Sequence, residues 1–531
     1  MLVLFIKKKT ISKAKLKNYY LIKSVKTNAI LLSLWYNWIT TMKSNFNKRN
    51  FNQKQSQFDE QKFDQFLLGF KQDFGDEFCK SYKESFNAEN IKGFRVNTQK
   101  ISASNFQNIY KSYLEKIPFF DNAFYLENGK KIGNTLLHII GAIYVQEPSS
   151  MIPVASVKNL NFENKLVLDM CASPGGKTTQ IASLMNNTGF LVSNEIDTSR
   201  AKILLSNVER LGLKNVAVTN CSPQELAKRI NVKFDYIFVD APCSGEGMYR
   251  KDKNAINEWN ENLKFYNKKR QLEILSCANS LLKNGGYLIY STCTYNTIEN
   301  ESVINDFCNE LGYKIFSPCQ DVMDNTFGGI ILNGNADLSK TRHFFPFLSK
   351  GEGQYVACLQ KLGEDLHEKQ PLLNSNLTQM EQKLVEDFFN KNLTNFDLKN
   401  FVFYKIGNYI NVMPAKTVDF GNIKYLCYGV AIAEIVKDRL IPTQQFFSSY
   451  GKNFKSQLNL STDGSLYKNY LLGEQISFNQ VENDKNATLC YDNNSNYASV
   501  LVDGMSFGGV KIVDGVLKNH YPKALRTNKV E

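Results

Sequence analysis

Through the middle of the chain, short apolar runs bounded by turn residues alternate with stretches of helical spacing. KLVLD ends at Asp169 and passes through a glycine-rich turn into the helical TTQIASLM, while FLVSN is followed by SRAKILLSNVERLG. FDYIFVD ends at Asp240, and KKRQLEILSCANSLLKNGG leads into GYLIYST. Runs that are apolar at nearly every position mark strands buried on both faces. Their alternation with helices predicts a doubly wound α/β domain with a mostly parallel sheet, here residues 144–362. Before it, FDQFLLGFKQDF and GFRVNTQK suggest a small α/β subdomain over 58–143. After it, the polar segment 363–378 reads as a linker, 379–460 as an accessory domain, and 461–531 as a short β-rich module.

Composition adds to this picture without altering it. The chain has 531 residues, 43% of them hydrophobic, which is enough for several cores and three to four domains. Eleven cysteines without regular close spacing point to a reducing cytoplasm, and four histidines with no CxxC pair give no reason to expect a metal. The net charge of +13 is concentrated: residues 1–58 hold eleven Lys and one Arg with no Asp or Glu, which leaves +1 for the rest. Residues 1–57 are therefore read as a basic, disordered tail able to attract RNA phosphates in a salt-dependent way. Met42 leaves open that residues 1–41 are an upstream extension. The apolar stretch 28–39 is too short to span a bilayer, and MLVLFIKKK lacks the charged-then-apolar order of a signal peptide.

Two loops carry the candidate chemistry. Asp240-Ala241-Pro242-Cys243-Ser244-Gly245 follows FDYIFVD, and Ser291-Thr292-Cys293-Thr294 ends GYLIYST. Both thiols are thus expected at the carboxyl ends of strands, where open α/β sheets place ligands. The turn Cys171-Ala172-Ser173-Pro174-Gly175-Gly176-Lys177 lets the backbone approach a ligand closely. It is not a phosphate-binding P-loop, because the first glycine of that pattern falls on Cys171 and Pro174 removes a backbone N–H. Glu195, at the end of the next strand, can accept from ribose hydroxyls or can be a charge at a helix start. Lys177 can serve the site electrostatically or be a solvated lysine opening a helix.

Taken together, these motifs resemble the RNA (cytosine-5)-methyltransferases of the Nol1/Nop2/Sun family, in its bacterial RsmF-type branch. Besides the loops above, the resemblance rests on Phe94-Arg95-Val96-Asn97-Thr98, Val145-Gln146-Glu147-Pro148-Ser149-Ser150, Arg342-His343-Phe344-Phe345-Pro346, Gly351-Glu352-Gly353 and Lys518-Asn519-His520-Tyr521-Pro522-Lys523. It implies a Rossmann-like S-adenosylmethionine-dependent domain whose last strand, Gln354 to Leu359, is antiparallel, together with an N-terminal RNA-binding subdomain and a C-terminal PUA-like module. It implies Cys293 as the nucleophile that adds to carbon 6 of cytosine and Cys243 as the thiol that assists release. Asp240 then hydrogen-bonds the N3 edge, and Lys177 belongs to the active site. The cofactor would lie on residues 171–177 with Glu195 on the ribose and Asp240 at the far edge. An acid that often faces the adenine is missing here, and Ser222 is its expected replacement, with Asn220 second.

The expected substrate is RNA, small-subunit (16S) rRNA first and tRNA as the alternative. DNA and membranes are not expected partners, and a monomer is anticipated. A non-catalytic ribosome-assembly factor would retain the fold, but it would have no chemical reason to keep Cys243, Cys293, Asp240 and Lys177 together.

Overall fold

The computed structural model describes residues 58–109, 115–127, 132–364 and 370–530. The basic tail 1–57, with its apolar stretch 28–39, lies outside the described residues.

The apolar runs form the centre of a ten-stranded sheet. Strands β4 (Leu166–Asp169), β5 (Phe190–Asn194), β6 (Val216–Thr219), β7 (Phe234–Asp240) and β8 (Leu282–Thr292) pair in parallel, in the order β8-β7-β4-β5-β6. Successive side chains point to opposite faces, so Val167, Leu191 and Phe238 enter one core while Leu168, Val192 and Ile237 enter the other. Burial on both faces is why these strands lack polar alternation. Strand order reverses between β4 and β7, so their carboxyl ends flank the switch point where such sheets bind ligands. Next to β8 runs β12 (Gln354–Lys361), antiparallel as expected, with Tyr355 opposite Thr292 and Gln360 opposite Tyr287.

At the other edge, Tyr425–Tyr428 pairs antiparallel with β6, although the sequence reading placed these residues in a separate accessory domain. The strand covers backbone groups that β6 would otherwise leave open. Tyr428 is buried with its ring edge-on to Phe190 at 5.6 Å, so the contact is also apolar.

The helix Glu60–Ser85 is capped by Asp59, which accepts from Lys62 N at 3.1 Å. Its buried Phe66 and Phe70 meet Tyr249 and Tyr295 edge-on at 5.3 and 5.4 Å. Beyond it, β1 (Gly93–Val96), β2 (Ala123–Tyr125) and β3 (Ile143–Gln146) form a three-stranded antiparallel sheet. Buried Arg95 ties this sheet to the segment that follows β4 by donating to Gln146 Oε1 at 2.6 Å, Gly176 O at 2.8 Å and Thr179 Oγ1 at 2.6 Å.

Arg250 makes a second tie, donating to Ser85 O and Gly351 O at 3.1 Å and to Ala88 O at 3.4 Å. It lies 3.4 Å from buried Glu352, whose carboxyl burial holds up at about 7. Removing the guanidinium leaves three carbonyls without a donor, while Glu352 can take up a proton. Arg250→Ala should therefore cost about 3 kcal/mol, the lower end for a broken buried pair. A thermal midpoint equal to that of the wild type would show that the contact contributes nothing.

Further along, β13 (Phe401–Ile406), β14 (Tyr409–Pro414), β16 (Val430–Val436) and β17 (Arg439–Pro442) form a four-stranded antiparallel sheet. The last sheet has, in order across it, the strands Ile476–Ser477, Val516–Asn519, Met505–Val513, β21 (Tyr497–Val502), Ser456–Leu460 and Ala487–Cys490. It includes Ser456–Leu460, which lies before the boundary at 461 drawn from the sequence and runs parallel to β21. Ser456, Leu458 and Leu460 are buried in alternation, so this half-polar strand belongs to the sheet's interior.

Candidate active site

The turn after β4 leads into the helix Gly176–Met185, capped by Gly175 in the left-handed region at φ 109°. A Cβ at Gly175 would stand 3.1 Å from Leu204 Cδ1, so conformation and space both call for glycine. Thr178 Oγ1 donates to buried Asp169 Oδ2 at 2.7 Å, joining the strand end to the helix start. Asp169 Oδ1 is buried without a partner among the described residues, and burial holds this carboxyl up at about 7.

In front of the turn opens a cavity of about 480 Å³. Of the residues expected to hold a cofactor, Cys171, Ser173, Glu195 and Asp240 line it. Ala172, Pro174, Gly175, Gly176 and Lys177 are not part of its lining. Glu195 is only 3% exposed, and its Oε1 accepts from Asp197 N at 2.9 Å. It is not the helix-start charge, because Asp197 caps Thr198–Leu211 by accepting from Arg200 N at 2.8 Å.

Ser222 does not line the cavity. Its hydroxyl accepts from Glu225 N at 3.1 Å and so caps the helix Pro223–Arg229. Asn220 is likewise spent on Thr198 Oγ1 and the carbonyls of Glu195 and Ile196. The wall expected at an adenine is formed instead by Ile196, Pro223 and Gln224.

Lys177 is not a solvated lysine. Its side chain is 10% exposed, and Nζ pairs with Asp240 Oδ2 at 2.8 Å. The other oxygen of Asp240 accepts from Ser291 Oγ at 2.7 Å, so the carboxylate is fixed in place at the cavity wall.

Both candidate thiols line the same cavity, with their sulfurs 3.4 Å apart. The hydrogen bond to Cys293, together with burial, raises the Cys243 thiol well above its ordinary range. A reciprocal clasp sets this spacing. Glu246, in the Cys243 loop, accepts from the backbone N–H groups of Tyr295 and Asn296 at 3.1 and 3.0 Å. Glu299, beyond the Cys293 loop, accepts from Ser244 N at 3.0 Å, Gln271 Nε2 at 2.9 Å and Asn296 Nδ2 at 2.9 Å. Ser244 and Thr294 share a hydroxyl hydrogen bond at 2.7 Å, and Gly247 N donates to Cys293 O at 2.9 Å.

Backbone packing completes the clasp. A Cβ on Gly247 would stand 2.8 Å from Gly353 Cα, and one on Gly353 would stand 2.4 Å from the Tyr295 hydroxyl. Glycine at 353 is thus needed for two loops and the start of β12 to meet. The sequence reading singled out neither Glu246 nor Glu299, although both lie within a few residues of the cysteines. Replacing Glu299 by Gln would turn an amide N–H₂ toward donors that now need an acceptor. The expected result is a fall in kcat of about 10²-fold with little change in cofactor affinity, the scale of a small misplacement of reacting groups. Wild-type kcat in this variant would remove Glu299 from the positioning argument.

The helix Glu261–Leu281 supplies a further wall through Tyr266, Lys269 and Arg270. Phe265 and Tyr266 are 56% and 67% exposed, so aromatic and cationic side chains stand together at the cavity's rim.

Comparison with known proteins agrees along the chain. Residues 157–360 match the family model for 16S rRNA methyltransferase RsmB/F, residues 63–148 the N-terminal domain of 16S rRNA methyltransferase RsmF, and residues 457–527 the methyltransferase RsmF PUA domain. The ribosomal RNA small subunit methyltransferase F of Vibrio vulnificus is 30% identical over 451 residues, covering 82% of this chain and 91% of its own. The protein of the same name from Pectobacterium atrosepticum is 34% identical over 359 residues, 64% of this chain and 72% of its own. Among solved structures, a methyltransferase homologue from Pyrococcus horikoshii aligns with 56% of this chain and 94% of its own, at 28% identity and a TM-score of 0.49.

Proposed function

Since the chain belongs to the ribosomal RNA small subunit methyltransferase F family, we propose that it methylates carbon 5 of a cytosine in small-subunit rRNA through a covalent cysteine adduct. The observation that carries this reading is the pair of thiols 3.4 Å apart in one cavity with the Lys177–Asp240 ion pair.

The cavity fits a methyl-donor nucleoside. Glu195 offers a buried carboxylate whose Oε1 accepts from Asp197 N and whose Oε2 lies 3.7 Å from Arg200 Nη2, which leaves acceptor capacity for ribose hydroxyls, and Ile196 and Pro223 offer apolar surface for a base. S-adenosylmethionine, when bound, supplies the electrophilic methyl group.

Carbon 5 of cytosine is a weak nucleophile until a thiolate adds to carbon 6 and makes it enamine-like. Cys293 is assigned that addition. Asp240, held by Lys177 and Ser291, would accept a hydrogen bond at the protonated N3 edge as negative charge develops in the ring. After the methyl group is attached, the C5 proton must leave before Cys293 is expelled, and Cys243 is the thiol beside it. A target base has to be turned out of its stack, at a cost of a few kcal/mol, and the aromatic and basic rim is suited to offset it.

The test is methyl transfer from tritiated donor to small-subunit rRNA, followed by bisulfite mapping. Label resistant to bisulfite at one cytosine of that RNA is expected. Label confined to tRNA would overturn the substrate assignment, and label at any atom other than carbon 5 would overturn the chemistry.

Glu195→Ala should weaken binding of S-adenosylhomocysteine by about 1–3 kcal/mol, roughly 5- to 150-fold in Kd, the cost of losing a charged hydrogen-bond partner. Calorimetry giving an unchanged Kd would remove Glu195 from the ribose.

A further inference from the structure

A separate cavity of about 480 Å³ opens where three parts of the chain meet, a size within the roughly 300–1,000 Å³ range of small-ligand sites. Glu209 contributes from the end of helix Thr198–Leu211, Tyr409 and Asn411 from β14, Glu434 from β16, and His520 from the C-terminal region. Ile406, Leu426 and Ile441 supply apolar wall, and the Tyr409 ring is 44% exposed.

The polar atoms of this lining are one-sided. Asn411 Nδ2 is spent on the carbonyls of Tyr404 and Tyr409, Gln445 Nε2 on Gly429 O at 3.3 Å, and Gln444 Nε2 on Phe507 O at 2.6 Å. His520 is held neutral by burial and contacts Pro442 O through Nε2 at 2.9 Å, which makes that nitrogen the donor and leaves Nδ1 a bare acceptor. Gln444 Oε1 is buried without a partner, and neither the Glu209 nor the Glu434 carboxyl has a hydrogen-bond donor among the described residues. Apart from the Tyr409 hydroxyl, the cavity therefore presents acceptors, and its occupant must bring donors. Two carboxyl groups also repel phosphate.

We propose that this cavity holds an unstacked guanine of the RNA substrate, stacked on Tyr409 and gripped through its imino and amino N–H groups by Glu209. Guanine offers the most donors on one edge of any base, and carboxylates accept from base N–H groups in the same way when proteins read nucleic acids. A flat π-face suits the tyrosine and the apolar walls. Arg200, nine residues before Glu209 on the same helix, lines the catalytic cavity. Nine residues are about two and a half turns, so Arg200 and Glu209 stand about 14 Å apart along the axis on opposite sides of this helix.

The inference rests on the RNA substrate proposed above, but its test needs no methyl transfer. With the full chain saturated in S-adenosylhomocysteine, saturation-transfer NMR should detect guanosine binding, with uridine at least tenfold weaker. Glu209→Gln and Tyr409→Ala should each weaken guanosine at least tenfold while S-adenosylhomocysteine affinity stays unchanged. No guanosine signal with the wild type, or undiminished binding by both variants, would overturn the proposal. So would displacement of guanosine by spermidine at equal concentration, which would assign the cavity to amines. Because the readout is binding, an inactive enzyme and an empty cavity give different results.

Discussion

Cys293→Ala is expected to abolish methyl transfer and leave S-adenosylhomocysteine binding intact. The two sulfurs are 3.4 Å apart, so proximity alone does not say which attacks. The motifs distinguish them, since the resemblance assigns the attack to the cysteine of the Ser291–Thr294 loop, Cys293, and release to the cysteine of the Asp240–Gly245 loop, Cys243. Without that attack carbon 5 never becomes enamine-like. The loop from Cys171 to Lys177 and Glu195 stand on other strands, which is why the cofactor should still bind. Tritium transfer near the wild-type rate would show that another residue attacks.

What the sequence made legible follows from how local each signal is. Four central strands, β4, β5, β7 and β8, read correctly because burial on both faces makes them continuously apolar, and their carboxyl ends brought Asp169, Glu195, Asp240, Cys243 and Cys293 to one side of the sheet. Ser456–Leu460 and Tyr425–Tyr428 were assigned elsewhere because a short, half-polar strand takes its sheet from tertiary pairing. Ser222 had a local signal that was outweighed: Ser-Pro-x-Glu is a helix-start pattern, and the hydroxyl caps the helix. Glu246 and Glu299 have no periodic signal at all. Each meets backbone of the other loop, and only the folded chain brings those loops together.

Cys243→Ala, with Cys293 intact, is expected to accumulate a protein–RNA adduct that survives denaturing electrophoresis. The reason lies in what raises the Cys243 thiol. The largest contribution is its hydrogen bond to Cys293, followed by burial, with the Glu299 carboxylate adding to both. Once Cys293 is bonded to carbon 6, that hydrogen bond is gone, and Cys243 gives up its proton more readily at the stage when the C5 proton must be taken. A group that is a poor nucleophile before the adduct forms is thereby better fitted to act as base after it. Removing Cys243 leaves addition and methylation possible but slows elimination, so enzyme and RNA stay joined. The Cys243→Ala/Cys293→Ala double variant should show no shifted band, because nothing adds to carbon 6. A band in both would point to another nucleophile, while free turnover by Cys243→Ala would make Cys243 a packing residue and leave proton removal to water.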